Sequence, residues 1–130
     1  TADNYLPEAF PAAPNFAMLT ALVQAAKTLD IDVHVGVGWA GDAFYAPMDP
    51  ALAKKLTQAG VLSLEMESDT LFVISNYRGW RAGAIFASDG TSEEIKPDWG
   101  EEAFRKGEEQ EIKIALEAMK QIALADQDKA

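Results

Sequence analysis

Residues 61–72 read VLSLEMESDTLF. Leu62, Leu64 and Met66 fall on alternate positions, the period of a strand with one apolar face. The run then ends in two acids, Glu65 and Glu67, with Met66 between them. Ser68 is a fair N-cap, and Asp69 suits the positive end of a helix dipole. The stretch therefore predicts a strand over 61–67 running into a helix over 68–78, which Gly79 closes. A carboxylate at such a junction either caps the helix or holds a polar ligand, and the surrounding chain has to decide between them.

Upstream, Asn15 is placed to cap a helix on which Met18, Leu19, Leu22, Val23, Ala26 and Leu29 recur at helical spacing. Ile31, Val33, Val35 and Val37 then alternate as in a strand. After an aromatic loop, GDAFYAP, Asp49 and Pro50 open a short helix carrying Leu52 and Leu56, and Gly60 ends it in the left-handed conformation. Downstream, 82–87 (AGAIFA) is continuously apolar, as expected of a strand covered on both faces. Ile112, Ala115, Leu116, Met119, Ile122 and Ala123 form the stripe of a final helix. Strands alternating with helices predict an α/β fold: one domain over 1–130 with a twisted, mostly parallel mixed sheet flanked by helices.

The chain has 130 residues, 48% of them apolar, enough for a core. It holds no cysteine, which excludes disulfides, thiolate metal sites and cysteine nucleophiles and fits a reducing cytoplasm. A net charge of −10 argues against a nucleic-acid partner, whose phosphates need clustered Lys and Arg. The acidic stretches EEIKPDWGEE and GEEQE read as solvated faces. No apolar run approaches the roughly 20 residues that span a bilayer. His34, among valines, reads as structural.

Open α/β sheets bind ligands beyond the carboxyl ends of their strands. Gly36–Gly41 (GVGWAG) matches the dinucleotide pattern GxGxxG, but that chemistry needs a helix opening at the glycines, and DAFYAPMDP carries no helical stripe. The glycines instead fit a tight turn or a close approach to a neighbouring strand. Three strand ends then supply candidate chemistry. Phe44 or Tyr45 can stack on a flat heterocycle. Met66 offers a soft apolar floor, and the carboxylate of Glu67 can accept hydrogen bonds from two adjacent sugar hydroxyls. Asp89, before Gly90, is either a turn former or a carboxyl which, kept protonated by burial, assists a leaving nitrogen.

Taken together, GVLSLEMESDTLFVISNYRGWRAGAIFASDG resembles the nucleoside phosphorylase-I family, which contains purine nucleoside phosphorylases and uridine phosphorylases. EMES, Glu65 to Ser68, resembles its ribose-binding motif. FPAAPNF, VHVGVG and AGDAFYAP resemble the segments before that motif, and EIKIALEAM its C-terminal helix. The resemblance implies that Glu65, Met66 and Glu67 lie on the ribose side. It implies that Phe44, Leu64 and Asp89 lie on the base side, with Asp89 assisting a purine leaving group. It further implies phosphorolysis to free base and ribose 1-phosphate through an oxocarbenium-like transition state, with inorganic phosphate as co-substrate and no other cofactor or metal.

The family's phosphate-binding loop and arginines lie in its N-terminal half, and residue 1 of this chain falls near the family's midpoint. The expectation is therefore the C-terminal half of a phosphorylase, with the other half on a separate or cleaved chain and an oligomer of dimers, commonly a hexamer. The resemblance also puts Arg105 near an arginine that aids the catalytic aspartate, and Trp99 in a loop that covers the base. The insertion carrying glutamine and arginine for uracil is missing after the FY loop, which favours a purine. Uridine phosphorylase, a hydrolytic nucleosidase and a non-catalytic nucleoside-binding subunit remain alternatives.

Overall fold

The computed structural model describes residues 5–7, 9–46, 48–90 and 100–128. Those residues form α1 (Phe16–Thr28), β1 (Val37–Ala40), α2 (Pro50–Gln58), β2 (Val61–Glu65), α3 (Ser68–Arg78) and α4 (Gly100–Gln127). They fall into two compact units: Thr1–Ala13 with His34–Trp80, and Pro14–Val33 with Arg81–Ala130.

The first unit is built on a β-α-β crossover. β1 and β2 pair in parallel, with Gly38 opposite Ser63, Trp39 opposite Leu64 and Ala40 opposite Glu65, after an irregularity between Val37 and Gly38. Parallel neighbours need a crossover connection, and α2 provides it, packing on β2. Asp49 caps α2 by accepting the Ala51 amide at 2.9 Å, and Pro50 supplies a first-turn residue whose missing N–H costs nothing there. Gly60, at φ +73°, turns the chain out of α2 and into β2. Two of the three glycines of the dinucleotide-like motif permit close strand approach. A Cβ on Gly36 would lie 2.5 Å from Leu62 Cδ1, and one on Gly38 would lie 2.9 Å from Ser63 Oγ. No helix opens at these glycines, as the sequence predicts.

α3 follows within three residues of β2 and ends at Gly79, φ +70°, with the Trp80 amide returning to the Ser75 carbonyl at 2.8 Å. Asn76 Nδ2 donates to the Ala13 carbonyl at 3.1 Å, and Tyr77 meets Tyr5 edge-on at 5.5 Å, which fastens the leading segment to this helix.

The second unit is a helix pair. Asn15 Oδ1 accepts the amides of Ala17 and Met18 at 3.1 and 3.3 Å, capping α1 as expected. Ala21, Leu22, Ala25 and Ala26 of α1 then bury against Ile114 and Ala118 of α4, with Ile31, Ile85 and Ile122 at the margin. Alanine at the crossing lets the two backbones approach closely. Arg81 closes the unit with a two-pronged contact to Asp126, at 3.0 and 2.5 Å.

Three expectations are corrected. Residues 31–36 form no strand: β1 starts only at Val37, and Val33, Val35 and Val37 are exposed rather than packed. Apolar alternation signals strand propensity, but a ladder also needs a partner in register, and β2 reaches back only to Val37. Residues 82–87 likewise form no strand. Their apolarity serves helix packing, with Gly83 against Met18 and Leu22, Ile85 on the core and Ala87 against Gly107. Among the described residues the sheet has two parallel strands, so no mixed sheet is seen.

The expected stripe on the last helix is also rotated. Ile114 and Ala118 are 1% and 0% exposed, whereas Ile112, Leu116 and Met119 are 58%, 63% and 62% exposed. α4 carries two apolar stripes, and α1 packs on the one where alanine admits it. Ile114→Ala should therefore cost about 2–4 kcal/mol, while Leu116→Ala should stay within about 0.5 kcal/mol. Urea unfolding of the two variants checks the order.

Candidate functional site at the end of β2

Because β1 and β2 are parallel, their carboxyl ends lie on the same side, and the residues that leave them start as neighbours. The ladder extends one step beyond β1, where the Gly41 amide donates to the Glu65 carbonyl at 2.8 Å. Phe44 is three residues further on, within about 11 Å of Gly41 even if the chain is fully extended. A turn from Ala43 to Ala46, closed at 3.1 Å, presents Phe44 and Tyr45 at its tip. Their rings meet edge-on at 5.2 Å, and both are exposed, Phe44 to 73%. Leu64 pairs with Trp39 and shares its face, together with Leu62 and Met66. That face is open and apolar.

Glu65 carries the junction. Its Oε2 accepts the Glu67 amide at 2.9 Å and the Ser68 amide at 2.7 Å, and its Oε1 accepts the Ser68 hydroxyl at 2.7 Å. The first helical amides have no partner within their helix, and this carboxylate satisfies two donors there while carrying the charge sign the dipole favours. The expected N-cap role of Ser68 is thus corrected. Glu67 is the cap residue and makes no side-chain cap bond, while Ser68 is the first residue of the helix. A carboxylate two residues ahead of the cap occupies the position that a serine oxygen would take.

Glu67, by contrast, is exposed, and its carboxylate lies outside this clamp. Its Oε2 accepts the Met66 amide at 3.2 Å, and its own carbonyl accepts the Leu71 amide at 3.1 Å as the first bond of α3. One oxygen thus touches the turn's own backbone, while the side chain stands in solvent beside Met66. The first unit therefore brings Leu64, Glu65, Met66 and Glu67 together in one strand-to-helix turn, with Phe44 on the loop that leaves the adjacent strand.

Asp89 belongs to the second unit. It is half-buried, between Ser88, whose hydroxyl donates to the Gly90 carbonyl at 2.7 Å, and Gly90. Arg105 lies inside α4 and pairs with Glu101 one turn earlier at 2.6 Å. His34 is exposed and in no strand, and Trp99 lies outside the described residues. Among the described residues, no cluster of His, Cys, Asp or Glu could hold a metal ion, and no helix is long and apolar enough to cross a membrane. The Glu65 clamp is the feature that sequence reasoning left open. The glutamate three positions before Ser68 was its only sign, and a capping acid is ordinarily sought closer to the helix.

Such a turn at a parallel strand end is where α/β proteins recognise small polar ligands. Comparison with known proteins names the family. The phosphorylase superfamily model matches residues 1–125, and the chain belongs to that superfamily. Guanosine phosphorylase of Halorubrum lacusprofundi is 39% identical over 90 residues, covering 69% of this chain and 37% of the relative. Uridine phosphorylase of Thermococcus kodakarensis is 31% identical over 144 residues, covering 99% of this chain and 49% of the relative. Uridine phosphorylase of Escherichia coli is 30% identical over 134 residues, covering 92% and 52%. The chain spans about half the length of most of the relatives it matches.

The clamp makes a pH prediction. Partial burial pushes the Glu65 carboxyl up, but the Ser68 hydroxyl and the Glu67 and Ser68 amides outweigh it, leaving the group below its usual value of 4.5. A depressed carboxyl adds stability that is present above the unfolded value and is lost as pH falls through the folded one. Wild type should therefore exceed Glu65→Gln in stability at pH 6, and the gap should narrow below about pH 4.5. Urea midpoints of both proteins across pH 3–7 measure it.

Proposed function

We propose that this chain supplies the nucleoside-binding part of a phosphate-dependent nucleoside phosphorylase, a pentosyltransferase that prefers purine nucleosides. The observation that carries the reading is the EMES turn, which leaves the carboxylate of Glu67 outside the clamp, exposed at the end of a parallel strand. Glu67 accepts the ribose hydroxyls, Met66 packs against the sugar ring, and Glu65 serves the same subsite. Phe44 and Leu64 line the base side, and Asp89 gives a proton to the departing purine nitrogen. Phosphate attacks C1′ as the glycosidic bond breaks, the base leaves with its electron pair, and ribose 1-phosphate forms. Fixing the sugar matters because the cationic transition state must stay aligned between nucleophile and leaving group.

The phosphate dianion is held by residues other than those of this sequence, and the active particle is an oligomer of dimers in the cytoplasm. Two observations support the placing of phosphate on other residues. The chain spans about half of its relatives. Its arginines are also engaged locally: Arg81 with Asp126, Arg105 with Glu101, and Arg78 over the Tyr77 ring at 5.9 Å. A uridine preference is the second reading, favoured by the broad coverage of the uridine phosphorylases.

The test is base release from guanosine, inosine, adenosine and uridine by the complete enzyme, with and without phosphate. Phosphate-dependent release, fastest with the purines, is expected. Release that is undiminished without phosphate marks a nucleosidase, and binding without turnover marks a non-catalytic subunit. Glu67→Ala should lower kcat/KM roughly 100-fold, the loss of hydrogen bonds to a charged acceptor. An unchanged value removes Glu67 from the sugar site.

A further inference from the structure

Glu65 and Glu67 are two residues apart and chemically identical, yet their surroundings differ. The Glu65 carboxylate accepts three hydrogen bonds from the start of α3, two to Oε2 and one to Oε1, all between 2.7 and 2.9 Å. Glu67 accepts a single, longer one at 3.2 Å from the neighbouring Met66 amide. The acceptor capacity of a carboxylate is about four lone-pair sites, so Glu65 has little left for a ligand and Glu67 has most of its own. One of the three donors to Glu65 is the backbone amide of Glu67 itself. The bond therefore fixes the residue that projects the exposed carboxylate, at φ −127° and ψ −28°, outside the regular helix.

We infer that Glu65 is a positioning residue, which acts on the nucleoside through Glu67 and makes no contact with the sugar. The inference rests on the reading of Glu67 as the sugar acceptor. Ser68 is its accomplice: the hydroxyl holds Oε1 and keeps the carboxylate plane aimed at both amides. A binding constellation must be held within about half an ångström of its productive geometry by groups that are themselves locked. Glu65 and Ser68 do this from behind the turn.

The experiment is a double-mutant cycle in the complete enzyme, joined to amide chemical shifts of the 130-residue chain. Glu65→Gln, close to isosteric, should shift the Glu67 and Ser68 amide protons upfield and raise the nucleoside KM about tenfold, with kcat changed far less. Ser68→Ala, which leaves both amide bonds in place and so endangers folding least, should move KM in the same direction by a smaller factor. In a Glu67→Gln background, Glu65→Gln should cost within about twofold of nothing, since the residue it positions no longer carries the charge. A full penalty in that background would mean direct contact with the sugar and would overturn the inference. So would amide shifts left unmoved by Glu65→Gln. Failure of the functional reading looks different: the wild-type enzyme would then release no base from guanosine or uridine, while the amide shifts still reported the clamp.

Discussion

At the end of β2 the chain must stop being a strand and begin a helix within three residues, and the bonds that the Glu67 and Ser68 amides donate to Glu65 make that possible. An extended strand and a helical first turn demand different backbone angles, and the amides exposed at the change have nowhere to go inside the helix. One carboxylate satisfies two of them, and its charge suits the field there. The rest of the first unit is arranged around this corner. α2 sets β2 parallel to β1, the ladder runs on to Gly41, and the aromatic loop departs beside the same strand end. α3 is then anchored at its far end by Gly79 and by the Asn76 and Tyr77 contacts.

The two acids take different places at this corner. Glu65 caps and Glu67 is left exposed. A single acid could not do both well, because a carboxylate fully bonded to a helix terminus keeps little capacity for hydroxyl groups. Spacing them by Met66 puts one acid at the end of the strand and the other at the start of the helix. That spacing lets a local folding requirement fix the backbone of the residue that carries the exposed carboxylate.

Local features were legible in the sequence because they depend on near neighbours. Asn15 and Asp49 cap their helices, Gly60 and Gly79 close theirs in the left-handed region, and 68–78 is the predicted helix. The family was legible as well, carried by the EMES block and its flanks. Features that depend on distant partners were not. Alternating valines at 31–37 promise a strand, but only a neighbour in register makes one, and apolar 82–87 found helices instead. On α4 two apolar stripes compete, and the sequence cannot rank them without knowing that Ala25 and Ala26 would meet Ile114 and Ala118. At the site, Phe44, Leu64, Met66 and Glu67 came out on one sheet end or its loop, whereas Asp89 belongs to the other compact unit.

The small sheet has a consequence of its own. β1 and β2 each keep an edge with no strand partner among the described residues, and their shared face shows Leu62, Leu64 and Trp39 to water. Such edges are templates for adding further strands, and two short parallel strands are a meagre sheet. Against this works charge: a net −10 spread over 130 residues sets up mutual repulsion between copies. Repulsion of that kind fades with ionic strength as the Debye length shrinks, whereas apolar attraction does not. Colloidal behaviour in concentrated salt is thus governed by the bare sheet, and in dilute buffer by the acidic helices.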